Sequence, residues 1–462
     1  MTQPSTTPKA VGSALALIGH TPMVELTAFD VGRCRLFLKL ENQNPGGSIK
    51  DRVARSMIEA AEADGRLKPG GTIVEATAGN TGLGLAQVAA TKGYHLILVV
   101  PDKMAREKIL HLRAMGVDVR LTRSDVGKGH PDYYQDFAQR VADETGGFYV
   151  NQFENPANPL AHETTTGPEI LEQMQGDLDA VVVGVGSGGT LTGLGRFFKA
   201  ASPKTRMVLA DPQGSILADY VATGRIGEAG SWIVEGIGED FIPKNAEMAF
   251  VTQAYTVSDR ESVDTARELL RREGVLAGSS TGCLLAAALR YCREQTEAKR
   301  VVTLACDTGG KYLTKMFNDL WIAAQGFEDR ALTGRVIDLI AKPYAEGGVV
   351  AVGPDDTLLT AYNRMRSSDV SQLPVVEAGR LVGLLDESDL LAAVEHDDRE
   401  HRFKRPVREA MTEKVKTLQA GDDLAKLNRV FDRGEVAVVL EGDRFVGVVT
   451  RVDLINHLRL YD

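Results

Sequence analysis

The chain has 462 residues, of which 43% are hydrophobic and 25% charged, which predicts an ordinary globular protein of two or three domains. Acidic residues outnumber basic ones by 63 to 53 without any block of like charges, so we expect no nucleic-acid partner and no membrane association. The four scattered cysteines lack the spacing of a zinc site or a disulfide framework, which argues against a metal centre and fits a cytoplasmic protein.

Residues 1–10 are polar and contain no signal segment, and an α/β pattern follows them. From about residue 12 to 325, short β-branched runs alternate with longer stretches of helical periodicity, which predicts parallel sheets covered by helices. Several runs are continuously apolar, as in strands buried on both faces. The predicted strands are residues 72–77, 95–101, 178–186, 206–211 and 300–307.

Lys50 lies in the first segment with a chemical signature, residues 41–61. A Pro-Gly-Gly turn precedes Ser48, the predicted N-cap of an apolar-periodic helix, so Lys50 falls in the first helical turn. The positive end of the helix dipole should lower the pKa of this amine and favour its neutral, nucleophilic form. A solvated surface lysine explains this segment equally well.

A second loop, residues 75–86, follows a predicted strand and opens a helix. Its glycines, together with Thr77, Asn80 and Thr81, present hydrogen-bond donors at the helix N-terminus, where an amino-acid carboxylate would fit. An ordinary strand-to-helix turn is the alternative.

A third loop, in residues 181–195, reads Gly-Ser-Gly-Gly-Thr between a buried strand and a helix. Small residues, backbone N–H groups and two hydroxyls predict a cup for a phosphate group. The pattern is neither a dinucleotide-binding Gly motif nor a P-loop, which disfavours both classes of nucleotide enzyme. A later segment, residues 274–290, looks like a strand that leads to Ser279, Ser280 and a helix, and taken alone it indicates only an N-cap.

The last part of the chain contains a twofold repeat. Residues 379–391 recur as residues 443–455, which predicts two strands and a helix in each of two packed copies. We therefore divide the chain into a catalytic domain at 1–325, a linker at 326–343 and two small domains at 344–398 and 399–462.

Taken in order, these segments resemble the fold-type II pyridoxal-phosphate (PLP) enzymes, in particular the family of cystathionine β-synthases and cysteine synthases, followed by a pair of CBS domains. The resemblance covers essentially the whole chain and implies two α/β subdomains with parallel-rich sheets plus an α+β CBS pair. It implies Lys50 as the catalytic lysine that binds the cofactor's aldehyde. The other implied cofactor residues are Asn80 at the 3′ oxygen, Gly186, Ser187, Gly188, Gly189 and Thr190 at the phosphate, and Ser280 at the pyridine nitrogen.

The resemblance also implies a substrate site and a reaction. Its residues would be Thr77, Ala78, Gly79, Thr81 and Gln152. The implied reaction is replacement at the β-carbon that joins L-serine to L-homocysteine, with hydrogen sulfide as a side product. An O-acetylserine sulfhydrylase is the alternative. Residues 151–170, 210–219 and 233–243 favour the first reading, whereas Ala78, Phe153 and Glu239 depart from residues common in the family.

The repeat implies regulation. Thr450 and Asp453 match the adenosyl-binding pattern of CBS domains, for which S-adenosylmethionine or an adenine nucleotide is the expected ligand, while Asp386 replaces the corresponding Thr or Ser in the first copy. A purely structural or dimer-forming role for the repeat is the alternative, and a catalytically weak adenosyl sensor, which Ala78 supports, is a further hypothesis. We expect no haem, because the haem-binding extension has no counterpart before Val11, and we expect a homodimer or higher homo-oligomer acting on small amino acids.

Overall fold

The computed structural model describes residues 10–77, 79–102, 106–127, 129–327, 332–395, 402–432 and 434–461. The chain divides into two compact units, Met1–Leu313 and Thr314–Asp462. The finer boundaries that the sequence suggests at 325, 343 and 398 stay predictions.

Fifteen strands occur in the described residues. In the first unit they are β1 (Met23–Glu25), β2 (Arg35–Lys39), β3 (Thr72–Ala76), β4 (His95–Pro101), β5 (Asp118–Thr122), β6 (Phe148–Tyr149), β7 (Ala180–Val183), β8 (Arg206–Pro212), β9 (Val251–Val257) and β10 (Arg300–Leu304). In the second unit they are β11 (Gln372–Glu377), β12 (Arg380–Asp386), β13 (Thr417–Gln419), β14 (Ala437–Glu441) and β15 (Arg444–Val449).

Fifteen α-helices occur in the same residues. In the first unit they are α1 (Lys50–Ala63), α2 (Asn80–Lys92), α3 (Arg106–Ala114), α4 (Tyr134–Thr145), α5 (Ala157–Ala161), α6 (Gly167–Gln173), α7 (Gly189–Ala201), α8 (Leu217–Thr223), α9 (Asp259–Glu273) and α10 (Ser279–Glu294). In the second unit they are α11 (Asp319–Ala324), α12 (Leu358–Ser368), α13 (Glu387–Glu395), α14 (Ala425–Phe431) and α15 (Arg451–Tyr461).

The first unit contains two parallel-rich sheets. A six-stranded sheet runs in the order β1-β2-β10-β7-β8-β9, in which only the β1–β2 pair is antiparallel. A four-stranded sheet, β5-β4-β3-β6, is parallel throughout. Every residue of β7 is buried, as its continuous run of apolar residues predicts for a strand covered on both faces. The α/β prediction is therefore confirmed.

Two predicted strands differ from the structure near loops. The strand predicted at 178–186 ends at Val183, because the chain turns there into the glycine loop, where Gly188 adopts a φ of +86°. The strand-like run after Gly274 forms only an isolated bridge between Ala277 and Thr308, so the strand prediction is wrong there. Gly274 ends α9 in the left-handed region and α10 begins at Ser279, and the four residues between them make only this one bridge.

The carboxyl ends of the parallel strands lead to the chemically distinctive loops. The loop after β3 leads to α2, the loop after β7 leads to α7, and β10 leads to Cys306 and Asp307. Ligands of open parallel sheets bind at such edges, so the topology gathers these loops at one place.

The second unit contains the predicted repeat. Strands β11 and β12 form an antiparallel hairpin followed by α13, and β14 and β15 form a second hairpin followed by α15. Each copy has its own apolar core, one around Val375 and Leu385 and the other around Val439 and Val449. Across the described residues of the whole chain, no helix has both the length and the apolar composition of a membrane span.

Candidate active site

A cavity of about 260 Å³ in the first unit brings the distinctive loops together. The predicted cofactor residues all line it, namely Lys50, Asn80, residues 186–190 and Ser280. So do the predicted substrate residues Thr77, Gly79, Thr81 and Gln152, whereas Ala78 lies outside the described residues. Segments more than 200 residues apart in the chain thus share one site.

Lys50 is the first residue of α1. Ser48 does not act as the formal N-cap, which is Ile49, but its hydroxyl accepts a hydrogen bond of 3.2 Å from the Lys50 backbone N–H. Burial lowers the pKa of the Lys50 ammonium, and electrostatic interactions with Cys306, Glu239 and Asp307 only partly oppose this shift. The lowered pKa agrees with the sequence-based prediction, but its main cause is desolvation and not the helix dipole. A neutral amine facing a cavity can attack an aldehyde.

The glycine loop forms a cup at the N-terminus of α7. Glycine is required at position 189, because a Cβ there would lie 1.9 Å from Asn158 Oδ1. Asn158 in turn donates a hydrogen bond of 2.9 Å to the hydroxyl oxygen of Ser187, which leaves the Ser187 proton available to a ligand. The cup therefore combines backbone N–H groups, a helix N-terminus and hydroxyl donors, the donor set that suits a phosphate.

His162 supports the cup from behind. It is fully buried in a π-helical turn, His162–Thr166, and its ring nitrogens lie 3.0 Å from Thr166 Oγ1 and 3.3 Å from Thr190 Oγ1. Burial, followed by the charges of Lys50 and Arg52, lowers its pKa well below the usual value, so the ring is neutral. The contact between Nε2 and the Thr190 hydroxyl holds this side chain at the cup.

Asn80 is fixed by two charged side chains. Its Nδ2 donates to Asp307 Oδ2 at 2.8 Å, and its Oδ1 accepts from Lys311 Nζ at 2.6 Å. Asp307 also accepts a hydrogen bond of 2.7 Å from the Tyr312 hydroxyl. One N–H of the Asn80 amide remains available toward the cavity, which fits a contact with a cofactor oxygen.

The substrate loop is held by a buried carboxyl group. Glu75 accepts hydrogen bonds from the backbone N–H groups of Ala76, at 2.9 Å, and Gln152, at 3.2 Å. Burial raises its pKa to about 8. The Thr81 hydroxyl donates to Gln152 Oε1 at 2.7 Å, which connects the first turn of α2 to the loop after β6. These bonds position Thr81 and Gln152 at the cavity wall.

Ser280 and Cys306 close another wall of the cavity. Ser280 is 4% exposed in the first turn of α10 and forms a hydrogen bond with the Cys306 side chain. Burial raises the pKa of the Cys306 thiol to about 12, so the sulfur is a neutral neighbour of Lys50. A neutral hydroxyl at this position cannot hold a pyridine nitrogen protonated as a carboxylate would.

Sequence reasoning did not assign a role to several of these groups. Asn158, His162 and Lys311 contact Ser187, Thr190 and Asn80, and each is at least 28 positions from that partner in the chain. Asn158 and His162 are four residues apart on one helical face, which is the one sequence signal that could have linked them. Glu239 was noticed only as a departure from the family.

The second unit contains the predicted adenosyl residues. The hydroxyl and the backbone N–H of Thr450 both donate to Asp453 Oδ2 at 2.7 Å. A cavity of about 70 Å³ adjoins Asp453, whereas a cleft of about 600 Å³ lies between the two copies at Asp386. Lys414 and Lys416 line this larger cleft.

The residues that line the cavity are therefore suited to bind PLP. The cup supplies phosphate donors, Lys50 supplies an amine whose pKa is lowered by burial, and Ser280 and Asn80 supply polar contacts for a ring. Sequence comparison agrees, since the family model of pyridoxal-phosphate dependent enzymes matches residues 14–307. The CBS domain model matches residues 342–396 and 407–460. The chain is a PLP-dependent enzyme that carries two CBS domains.

Similar proteins indicate which family of PLP-dependent enzymes the chain belongs to. Cystathionine beta-synthase of Dictyostelium discoideum is 34% identical over 458 residues, covering 96% of this chain and 91% of the relative. The structure of O-ureido-L-serine synthase has a TM-score of 0.63 at 35% identity, covering 70% of this chain and 98% of that one. The O-acetylserine dependent cystathionine beta-synthase of Helicobacter pylori has a TM-score of 0.62 at 35% identity, covering 67% and 99%. The chain belongs to the cystathionine β-synthase family of fold-type II PLP enzymes.

Proposed function

We propose that this enzyme joins L-serine to L-homocysteine by replacement at the β-carbon, giving L-cystathionine, and releases hydrogen sulfide when a thiol amino acid takes the place of serine. The observation that carries the proposal is the single cavity in which Lys50, the phosphate cup, Asn80 and Ser280 meet the substrate loop. The nearly full-length match to a cystathionine beta-synthase supports the same reaction.

Lys50 would move the proton. PLP, when bound, makes the Cα–H bond of an amino acid acidic and stabilises the electrons left on Cα. Burial lowers the pKa of the Lys50 amine, which increases its neutral fraction, so the amine can take the Cα proton and later return it. Its position in the cavity wall makes both transfers intramolecular.

Other residues of the cavity would bind and orient the cofactor and the substrate. The cup at 186–190 would hold the phosphate, with Ser187 and Thr190 as hydroxyl donors, and Asn80 would contact the 3′ oxygen. Ser280 would face the pyridine nitrogen without charging it, which favours prompt β-elimination over transamination. Thr77, Gly79, Thr81 and Gln152, joined by Ala78 in the sequence, would bind the substrate carboxylate.

O-acetylserine is the competing first substrate, because a similar enzyme of known structure is described as O-acetylserine dependent. Serine and O-acetylserine each need to be assayed against homocysteine and against sulfide. Fastest turnover with serine and homocysteine supports the proposal. Fastest turnover with O-acetylserine and sulfide would make the chain a cysteine synthase instead.

Lys50 gives the direct test of the mechanism. Borohydride reduction of the purified protein should fix one pyridoxyl group on Lys50, detectable by peptide mass spectrometry, and Lys50→Ala should lose that label and at least about a thousandfold of turnover. Lys68→Ala, an exposed lysine, should retain both. Normal turnover in Lys50→Ala would refute the proposed mechanism.

Regulation belongs to the same proposal. Thr450 and Asp453 would bind the ribose of S-adenosylmethionine or an adenine nucleotide. Asp453→Asn should then abolish ligand binding measured by calorimetry, whereas Asp386→Asn should not. The reverse result would place the ligand in the larger cleft between the copies. Ligand binding without any turnover would favour the sensor hypothesis.

We also propose a cytoplasmic homodimer or higher homo-oligomer without haem. Light scattering and the absorbance spectrum of the purified protein measure assembly and haem content. A monomer, or a haem band near 400 nm that resists exchange of PLP, would contradict these points.

A further inference from the structure

Glu239 places a carboxyl group in the active-site cavity. It follows Gly238, whose φ is +87°, and the segment is anchored by the Ser215 hydroxyl, which accepts from the Glu239 backbone N–H at 3.0 Å. The side chain is half-buried and lines the same cavity as Lys50. Its Oε1 lies 3.9 Å from the position of a Cβ built on Gly186, so the carboxyl group borders the cup.

The surroundings of Glu239 favour its neutral form. No hydrogen bond or ion pair to its carboxyl oxygens occurs among the residues that the structure describes. Burial raises its pKa to about 8, the Asp240 charge adds to the shift, and the Lys50 charge opposes it. The titratable groups that interact with it electrostatically are Lys50 on α1, Asp211 on β8, Asp240 beside it, and Tyr133 and Tyr134 at α4.

A phosphate in the neighbouring cup would strengthen this preference. An anion close to a carboxyl group disfavours a second negative charge, so Glu239 should hold its proton more tightly when the cofactor is bound. A protonated carboxyl group is a hydrogen-bond donor and an acid. The leaving group of serine needs such a donor, because hydroxide leaves poorly unless it is protonated.

We propose that Glu239 is the general acid that protonates the departing β-hydroxyl group of serine, and that it makes this active site competent for unactivated serine. The inference rests on the proposed function and deepens it by assigning the choice of leaving group to one residue. Acetate or chloride leaves without a proton, so esters and halides of serine would not need Glu239.

The proton balance closes over one turnover. Lys50 takes the Cα proton, the electrons of the Cα–H bond form a Cα=Cβ double bond, and the Cβ–O electron pair leaves with oxygen, which receives the Glu239 proton and departs as water. The incoming thiol gives its proton to the Glu239 carboxylate and adds to Cβ through sulfur. Lys50 then returns its proton to Cα, so the net products are the thioether and water.

The test compares two leaving groups in Glu239→Gln, without any thiol. Stopped-flow absorbance of the bound cofactor follows the first half-reaction with L-serine and with β-chloro-L-alanine. We expect the rate with serine to fall at least about a hundredfold and the rate with β-chloro-L-alanine to change less than about threefold, since general acid catalysis contributes roughly 10²–10⁴. PLP affinity, measured by fluorescence titration, should stay within about threefold of the parent protein.

The pH profile supplies a second readout. With serine, the parent protein should lose the rate of the first half-reaction as pH rises above about 8, where Glu239 loses its proton. With β-chloro-L-alanine this alkaline limb should be absent. Asp240→Asn, an exposed neighbour, should keep the rate with serine and move the limb to lower pH, because removing a negative charge makes Glu239 a stronger acid.

Three outcomes separate the inference from the proposed function. Equal losses with both amino acids in Glu239→Gln would overturn the acid role and indicate a general structural effect. An unchanged first half-reaction with a raised KM for homocysteine would overturn it in favour of binding of the second substrate. A parent protein that binds PLP but reacts with neither amino acid would refute the proposed function itself.

Discussion

Burial sets the protonation of the side chains around the cavity. Lys50 and His162 have lowered pKa values, and Glu75 and Glu239 have raised ones, in each case with desolvation as the largest cause. Removing a charge from water is costly, so each group shifts toward its neutral form. These shifts favour the uncharged forms of the acids and bases and bring their pKa values toward neutral pH, where proton transfer is efficient.

Glu75 should make the stability of the protein depend on pH. Its folded-state pKa of about 8 exceeds the ordinary value of 4.5, so the folded protein binds more protons than the unfolded chain between these values. The free energy of unfolding therefore declines as pH rises through that window. Glu75→Gln, which mimics the protonated group, should reduce the decline between pH 5 and 8 by roughly 3–4 kcal/mol in urea unfolding.

Glu62 provides the matched control for this prediction. Desolvation is the largest single effect and raises its pKa, but the hydrogen bonds from Lys92 and Tyr94 and the charge of Lys92 together lower it by more. Its contribution to stability is thus complete above the unfolded pKa and is lost only at more acidic pH. Glu62→Gln should leave the slope between pH 5 and 8 unchanged, and an equal change of slope in both variants would contradict the assignment to Glu75.

The secondary-structure element that carries Lys50 is fastened by a buried ion-pair network. Arg52 on α1 bonds Glu41 and Glu169, at 2.7 Å each, and Lys39 joins the same Glu169 at 2.8 Å. Three segments, α6, β2 and the turn at Glu41, are thereby joined to the first turn of α1. The network fixes the helix whose first residue is the proposed catalytic lysine.

Removing Arg52 should be costly. Arg52→Met leaves Glu41 and Glu169 without their main cation, and breaking a buried pair costs about 3–5 kcal/mol. Urea unfolding followed by cofactor fluorescence measures the loss. Arg55→Met, three residues along the same helix, removes a partly exposed pair with Glu59 and should cost less than about 1 kcal/mol. Similar losses in the two variants would show that the network contributes little.

The loops and helix N-termini of the site could be predicted from the sequence where all their residues lie in one continuous segment. The glycine loop before α7 and the Asn80 start of α2 follow from glycine, hydroxyl and amide residues between a strand and a helix. The missing strand after Gly274 was not predictable, because β propensity depends on a partner strand, and only Thr308 lies opposite Ala277. Pairing is decided by residues remote in sequence.

In the whole molecule, catalytic and repeated parts fall into separate compact units. Enzymes of known structure match 67–70% of this chain with 98–99% of their own length, so a first unit alone corresponds to a complete enzyme elsewhere. A chain ending at residue 325 should therefore bind PLP and retain kcat with serine within about threefold, while S-adenosylmethionine should lose any effect on it.

Cofactor absorbance measures PLP binding, turnover assays measure kcat with serine, and calorimetry measures the binding of S-adenosylmethionine. The parent chain, purified in parallel, is the control, and ending the chain at residue 300 should abolish PLP binding because it removes β10, Cys306 and Asp307. Loss of PLP binding in the longer truncation would mean that the catalytic unit depends on the repeat for its folding.

The sequence by itself determined the α/β class, the repeat, the family and the residues of each continuous motif, because these follow from local periodicity and from side chains adjacent in the chain. Only the tertiary structure decided which groups from remote segments contact the residues of these motifs. Asn158 and His162 behind the cup, Lys311 at Asn80 and the carboxyl group of Glu239 come from segments that meet only when parallel strands align their carboxyl ends. Their protonation depends on burial, which no local pattern of residues specifies.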